Sequence, residues 1–165
     1  MNLIAEKQDL VITVNYATPN EHVQRAERNN RVIKERIRAS YFRLPFLHLP
    51  RILIKYVVSG STKKLNFFPN KNGVSKYYSP RMILHQEHLD YNRHCTYILG
   101  EYVLAHEELE PTNTKATRAL DCSYLHPTTN KQRGHELLYI QTNRVITRRR
   151  CTQVPMTPVI INQVR

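Results

Sequence analysis

The sequence predicts an α+β fold, with helices in its first half and a small antiparallel β module in its second. Apolar residues recur at helical spacing between Val23 and Val57, whereas from Thr96 onward they come in short pieces separated by polar turns. A chain of 165 residues holds one ordinary domain or two small ones.

The elements follow in order. Leu10, Ile12 and Val14 alternate with other residues, the period of a strand, and Thr18-Pro19-Asn20 then supplies a turn whose Asn20 can cap a helix. On that helix Val23, Ala26, Ile33 and Ile37 fall on one side. Glu27, Arg31, Lys34 and Arg38 follow on the neighbouring side, so Glu27 heads a basic stripe.

Leu44-Pro45 interrupts the helix, and a second helical run, Leu49, Ile52, Leu53, Tyr56 and Val57, starts around Pro50, a residue favoured in a first turn. Ser59-Gly60-Ser61 is expected to end it. The stretch LNFFPNKNGVSKYYSPRMIL reads mostly as loop, with a turn at Asn70 to Gly73 and the start of a short helix at Ser79-Pro80.

From Thr96 the pieces YILGEYVLA, RALDCSYL, ELLYI and RVITRR are separated by PTNT, HPTTNKQRG and QTN. They predict a small antiparallel barrel or meander, with His135 to Ile140 and Arg144 to Arg149 paired as a hairpin across Gln141-Thr142-Asn143. The closing VPMTPVIINQVR, with two prolines, reads as a tail or linker. No internal repeat or low-complexity tract is present.

Charge carries the functional signal. The chain has 25 Lys plus Arg against 13 Asp plus Glu, a formal net charge of +12. Such a balance predicts a polyanionic partner, nucleic acid first and an anionic membrane surface second. The charge is also segregated: 11 bases against two acids from Arg25 to Lys64, six acids against one base from Gln86 to Glu110, and eight bases against two acids from Lys115 to Arg150. Tyr41, Phe42, Tyr56, Phe67, Phe68, Tyr77 and Tyr78 lie among the first bases, a mixture suited to phosphate contacts with stacking on bases.

Other chemistry fits poorly. Cys95, Cys122 and Cys151 are odd in number and far apart, and the N-terminal MNLIAEKQDL has no apolar signal run, which predicts a reduced, intracellular compartment. Runs of about eighteen apolar residues are absent, so no spanning helix is expected. No Cys-x2-Cys pair occurs, and His85 with His88 and adjacent His94 and Cys95 read as polar loop residues, so no zinc site is expected. Nothing near Cys122 or Cys151 marks an activated thiol, and the four glycines are isolated rather than gathered in a phosphate loop. By spacing alone Glu27 is an ordinary ion-pair partner of Arg31 and Arg28.

The segment TPNEHVQRAERNNRVIKERIRA, with LPRILIKYVVSGSTKKLNFFPNKNGVSKYYSPRMIL after it, resembles the integrase region of copia-type retrotransposon polyproteins. The resemblance covers roughly Leu10 to Val154. It implies a partial ribonuclease H-like core, one strand and helices, followed by a small antiparallel SH3-like β-barrel. The domain boundaries that follow are 1–85 for the end of the core and its helical extension, 86–95 for a linker, 96–154 for the SH3-like module and 155–165 for a tail.

In that family a glutamate at the start of a helix completes a triad with two aspartates, and Glu27 stands in its place, which makes it the implied catalytic and metal-binding residue. Carboxylates of this kind hold two divalent cations, Mg2+ or Mn2+ in the complete integrase, for in-line displacement at phosphorus. Arg28, Asn30, Arg31, Lys34 and Arg38, with Arg144, Arg148, Arg149 and the adjoining Arg150, become candidates for backbone contacts to nucleic acid. Only 26 residues precede Glu27, and their sole aspartate, Asp9, is too close to be the family's second ligand. The family's N-terminal His/Cys zinc module is absent as well.

The resemblance therefore implies a fragment of a DNA integrase, inactive in strand transfer alone. Its partners would be DNA (transposon ends and target) or RNA, the upstream integrase segment and further copies of the chain, with no membrane. It would work in the nucleus for integration and in a cytoplasmic particle as part of the polyprotein. The alternative is a non-catalytic basic nucleic-acid-binding protein derived from a transposon remnant, in which Glu27 is structural. The signatures of a retroviral protease, a reverse transcriptase and a nucleocapsid knuckle do not occur.

Overall fold

The computed structural model describes residues 23–164, apart from 72, 108–114, 116 and 129–133. The strand expected at Leu10 to Val14, the turn before the first helix, and Asp9 lie outside the described residues. The fold is α+β, a five-stranded antiparallel open sheet with several helices. Two compact units divide the chain, Met1–Val32 and Ile33–Arg165.

Helix α1 spans Gln24–Phe42. Arginine, lysine and glutamate along it are good helix formers, and Glu27 in its first turn complements the positive end of the helix dipole. Of the apolar side expected from sequence, Val23 and Ala26 are exposed, whereas Ile33 and Ile37 are half-buried, with Ser40 one turn further on.

Helix α2, Arg51–Leu65, starts directly after Pro50, whose extended backbone serves as the cap. Leu53 and Val57 are its fully buried residues and Ile52 and Tyr56 are partly buried, the face expected from their spacing. The helix does not stop at Ser59-Gly60-Ser61. Ser61 is buried and its hydroxyl donates to Ser40 Oγ at 3.1 Å, and the Thr62 hydroxyl donates to the carbonyls of Val58 and Ser59. The helix continues through Gly60 despite a glycine penalty of about 1 kcal/mol, and Ser61 then meets Ser40 of α1.

Helix α3, Pro80–His85, begins where Ser79-Pro80 predicts, with Ser79 Oγ accepting from the Met82 amide at 3.2 Å. A one-turn helix α4, Tyr91–His94, follows inside the segment expected to be a linker. The Asp90 carboxylate caps it, and Arg93 donates to the Thr128 carbonyl at 3.3 Å, tying this stretch to a residue 35 positions further on.

The strands are β1 Tyr102–His106, β2 Ala119–Pro127, β3 His135–Tyr139, β4 Arg144–Arg148 and β5 Cys151–Gln153. Their order is β4-β3-β2-β1-β5, every neighbouring pair antiparallel. The expected hairpin forms, His135 opposite Arg148 and Tyr139 opposite Arg144. Asn143 closes its turn with φ 53°, a left-handed conformation that asparagine tolerates better than most residues.

Strands β4 and β5 lie at opposite edges yet are joined by two residues, Arg149 and Arg150. In a flat sheet four strand spacings would hold them about 19 Å apart. Three peptide steps reach at most about 11 Å, so the sheet curls until its edges approach. Its inner face is filled by Val103, Ala105, Cys122, Tyr124 and Leu137. The outer face, Tyr102, Leu125 and Leu138, packs with Phe46, Leu53, Ile140 and Val164.

Val164 closes the segment read from sequence as a tail. That segment forms helix α5, Pro158–Gln163, and its Ile160 and Ile161, with Val154 and Met156, pack on the same outer core. Prolines here set the entry to a helix rather than marking an unpacked tail.

Two hydrogen bonds tie this core together. Tyr56 on α2 donates to Glu136 Oε2 on β3 at 2.6 Å, and Tyr102 donates to Asp121 Oδ1 at 2.5 Å. Burial first, and then these bonds, push the Tyr56 and Tyr102 phenols up to about 12. Tyr97, half-buried and donating to the Cys151 carbonyl at 2.8 Å, is pushed up to about 12 as well.

A phenol raised in the folded state stabilises below its unfolded value of 10.0 and loses that contribution as pH rises through the folded value. The protein should unfold between pH 10 and about 12, tyrosinate absorbance and circular dichroism changing together. Titration of all ten tyrosines near pH 10 with the fold intact would contradict this.

Two glycines predict opposite outcomes. A Cβ at Gly60 meets open space, so Gly60→Ala should raise stability by about 0.5 to 1 kcal/mol in denaturant titration. Gly100 has φ +88° and its Cβ would lie 2.1 Å from Leu44 Cδ2, so Gly100→Ala should destabilise. Equal effects would refute the assignment.

Candidate nucleic-acid interface

In the first unit, the described residues form the opening turns of α1, where Glu27, Arg28, Asn30 and Arg31 are all exposed. The Glu27 amide donates to the Val23 carbonyl at 3.1 Å, which fixes the first turn and leaves the carboxylate on the helix surface. Arg31 stands one turn after it, the spacing of a surface ion pair worth a few tenths of a kcal/mol.

In the second unit, Lys34 and Arg38 continue α1 and are exposed. Between Arg36 and Gln86 the chain carries ten Lys or Arg and not one Asp or Glu. Nine of those ten are exposed, Arg81 being half-buried. The Lys64 ammonium is held below its ordinary range, first by burial and next by the neighbouring Arg43 charge. Two cations near enough to repel make a surface that a polyanion stabilises.

Strand β4 and its exit hold the remaining candidates. Arg144, Arg149 and Arg150 are exposed. Arg148 is half-buried, donates through Nη1 to the Thr147 carbonyl at 2.9 Å, and its charge acts on the buried Cys122 thiol. Exposure thus leaves Arg144 and Arg149 at the surface, whereas Arg148 is partly engaged by the protein.

Other chemistry finds little support in the geometry. Among the described residues, no three His, Cys, Asp or Glu side chains come together as metal ligands. Glu27 alone does not make a two-cation site. Burial pushes the Cys122 thiol up to about 12 and raises Cys151 too, the opposite of an activated nucleophile. His135, packed against Tyr97 and Tyr124 at ring distances of 5.4 and 5.7 Å, is lowered by burial, which suits a core histidine. No helix among the described residues is long and apolar enough to cross a membrane.

The sequence stripe on α1 did not point to Arg43 beside Lys64, because those two lie 21 positions apart on different elements. The signal that could have found them is the long run without acids. Comparison with protein-family models, with curated proteins and with solved structures gives no match.

Proposed function

We propose that the chain is a nucleic-acid-binding piece of a copia-type retrotransposon integrase, whose own activity is binding to the phosphate backbone. The observation that carries this reading is the solvent-facing helix α1, with Glu27 in its first turn and the bases Arg28, Arg31, Lys34 and Arg38 exposed after it. In the parent enzyme Glu27 would be one carboxylate of the metal-holding triad and Mg2+ or Mn2+ the cofactor.

The ribonuclease H-like assignment of the first part rests on the AERNNR motif and its helix. Assignment of the second part to an SH3-like module is supported by a curled five-stranded antiparallel sheet, since curling is what turns a small sheet into a barrel. Bases dominate the first part and the end of the second, Arg144 to Arg150. Contacts from Arg and Lys to phosphates position a protein on a strand without reading its sequence.

The same reading has a non-catalytic form, in which Glu27 is structural and binding is the retained property. The two forms differ in one assay. Purified protein incubated with Mn2+ and a transposon-end oligonucleotide is expected to give no strand-transfer product. Reproducible transfer would place complete catalytic machinery on this chain.

Binding is measured separately. Affinity for arbitrary duplex DNA should fall steeply as salt rises, and Arg31→Ala, Lys34→Ala and Arg38→Ala together should flatten the log–log slope by about 1 for each phosphate contact removed. A salt-insensitive affinity, or an unchanged slope in the triple variant, would contradict the proposal.

A further inference from the structure

The segment between α2 and α3 exposes aromatic rings that a packed protein ordinarily hides. Tyr77 is 86% exposed, Tyr78 53% and Phe68 51%. Three large rings facing water within eleven positions are unusual, since tyrosine and phenylalanine bury much of their surface in most folds.

This segment is not a loose excursion. The Arg81 amide donates to the Asn66 carbonyl at 3.1 Å and closes the loop at its base. Inside it the Gly73 amide donates to the Asn70 carbonyl at 2.9 Å, and the Ser75 hydroxyl accepts from the amides of Tyr77 and Tyr78 at 3.2 and 3.0 Å. Phe67 anchors the base, edge-on to His94 at 5.7 Å and with the Arg81 guanidinium 5.8 Å from its ring centre. The rings of Tyr77 and Tyr78 are thus carried on a backbone fixed by hydrogen bonds.

The charge carried by the loop itself has one sign, and Glu87, just beyond it, bonds to Arg81 at 2.9 Å. Lys71 and Lys76 lie within the loop, Lys63 and Lys64 precede it, all four are exposed, and no acid occurs between Asn66 and Gln86. An apolar protein partner would not require an acid-free, lysine-lined rim. A ligand that alternates flat aromatic faces with negative charges would, and an unpaired nucleic-acid strand is such a ligand.

We propose that the loop from Asn66 to Ser79 is a stacking platform for unpaired nucleotides, with Tyr77, Tyr78 and Phe68 against bases and Lys71 and Lys76 on the flanking phosphates. Every base offers a π-face, so such binding tolerates any sequence. In a duplex the bases are already stacked on one another, so the rings add nothing there. This rests on the nucleic-acid reading above but makes a separate claim: the duplex is held by cations, the unpaired strand by cations and rings.

The test measures affinity for oligo(dT), oligo(U) and a duplex, using the full chain and two loop variants. Tyr77→Ala with Tyr78→Ala should weaken binding to the unpaired strands by about five-fold or more for each ring removed. Duplex affinity should stay within about two-fold of wild type, as only phosphate contacts are made there. A loss on both oligo(dT) and oligo(U) assigns the platform to unpaired strands in general, and a loss on one alone assigns it to that kind of strand.

Tyr77→Phe with Tyr78→Phe keeps the rings and should keep the affinity. The chain has no Trp, so tyrosine emission is directly readable. Quenching by oligo(dT) should shrink in this second variant although binding persists.

Three results would overturn the proposal: single-strand affinity unchanged in the alanine variant, an equal loss on the duplex, or a shift to a smaller species in sedimentation with strand affinity unchanged. The last would mean that a second copy of the chain covers these rings. Failure of the wild-type chain to bind the duplex would instead count against the function proposed above.

Discussion

Arg149 and Arg150 join two strands that the hydrogen-bond order puts at opposite edges of the sheet, and that short connection organises the second unit. Because two residues cannot span a flat five-stranded sheet, the sheet must curl, which makes one face concave and the other convex. The concave face is small enough for Val103, Ala105, Cys122, Tyr124 and Leu137 to fill. The convex face needs a cover, and α2 with the C-terminal α5 segment supplies it through Leu53 and Val164. Tyr56, reaching from α2 to Glu136 on β3, adds a directional bond to otherwise non-directional packing.

With apolar residues committed to two cores, charge is left to the surface, where it is segregated along the chain. The acid-free run from Arg36 to Gln86 covers the end of α1, all of α2, the aromatic loop and α3. The Lys64 ammonium is lowered first by burial and next by the Arg43 charge, and repulsion between such cations is relieved by an anion. The proposed nucleic-acid partner would supply that anion.

Much of this was legible in the sequence, for reasons that differ by element. The α2 face was readable because Ile52, Leu53, Tyr56 and Val57 keep helical spacing against one core, and the β3–β4 hairpin because QTN is turn chemistry between two apolar pieces. Where α2 ends was not, because Ser59-Gly60-Ser61 resembles a stop signal locally and becomes a packing surface only once Ser40 lies across from Ser61. The tail was misread similarly, since Val164 is buried by residues from α2 and the sheet that lie far away in sequence. On α1 the basic stripe was visible, but which bases crowd one another depends on the fold. The role of Glu27 in the parent enzyme rests on its motif, AERNNR, and geometry adds only that it is exposed in the first turn.

Nucleic acid on the basic helices and their aromatic loop would leave a readable footprint. Photochemical cross-linking of the full chain to an oligonucleotide, followed by mapping of the attached peptides, measures this most directly. The account predicts attachment within α1 and within the loop carrying Tyr77 and Tyr78, competed away by salt. Attachment confined to the acidic stretch between Gln86 and Glu107, or none at all, would contradict it.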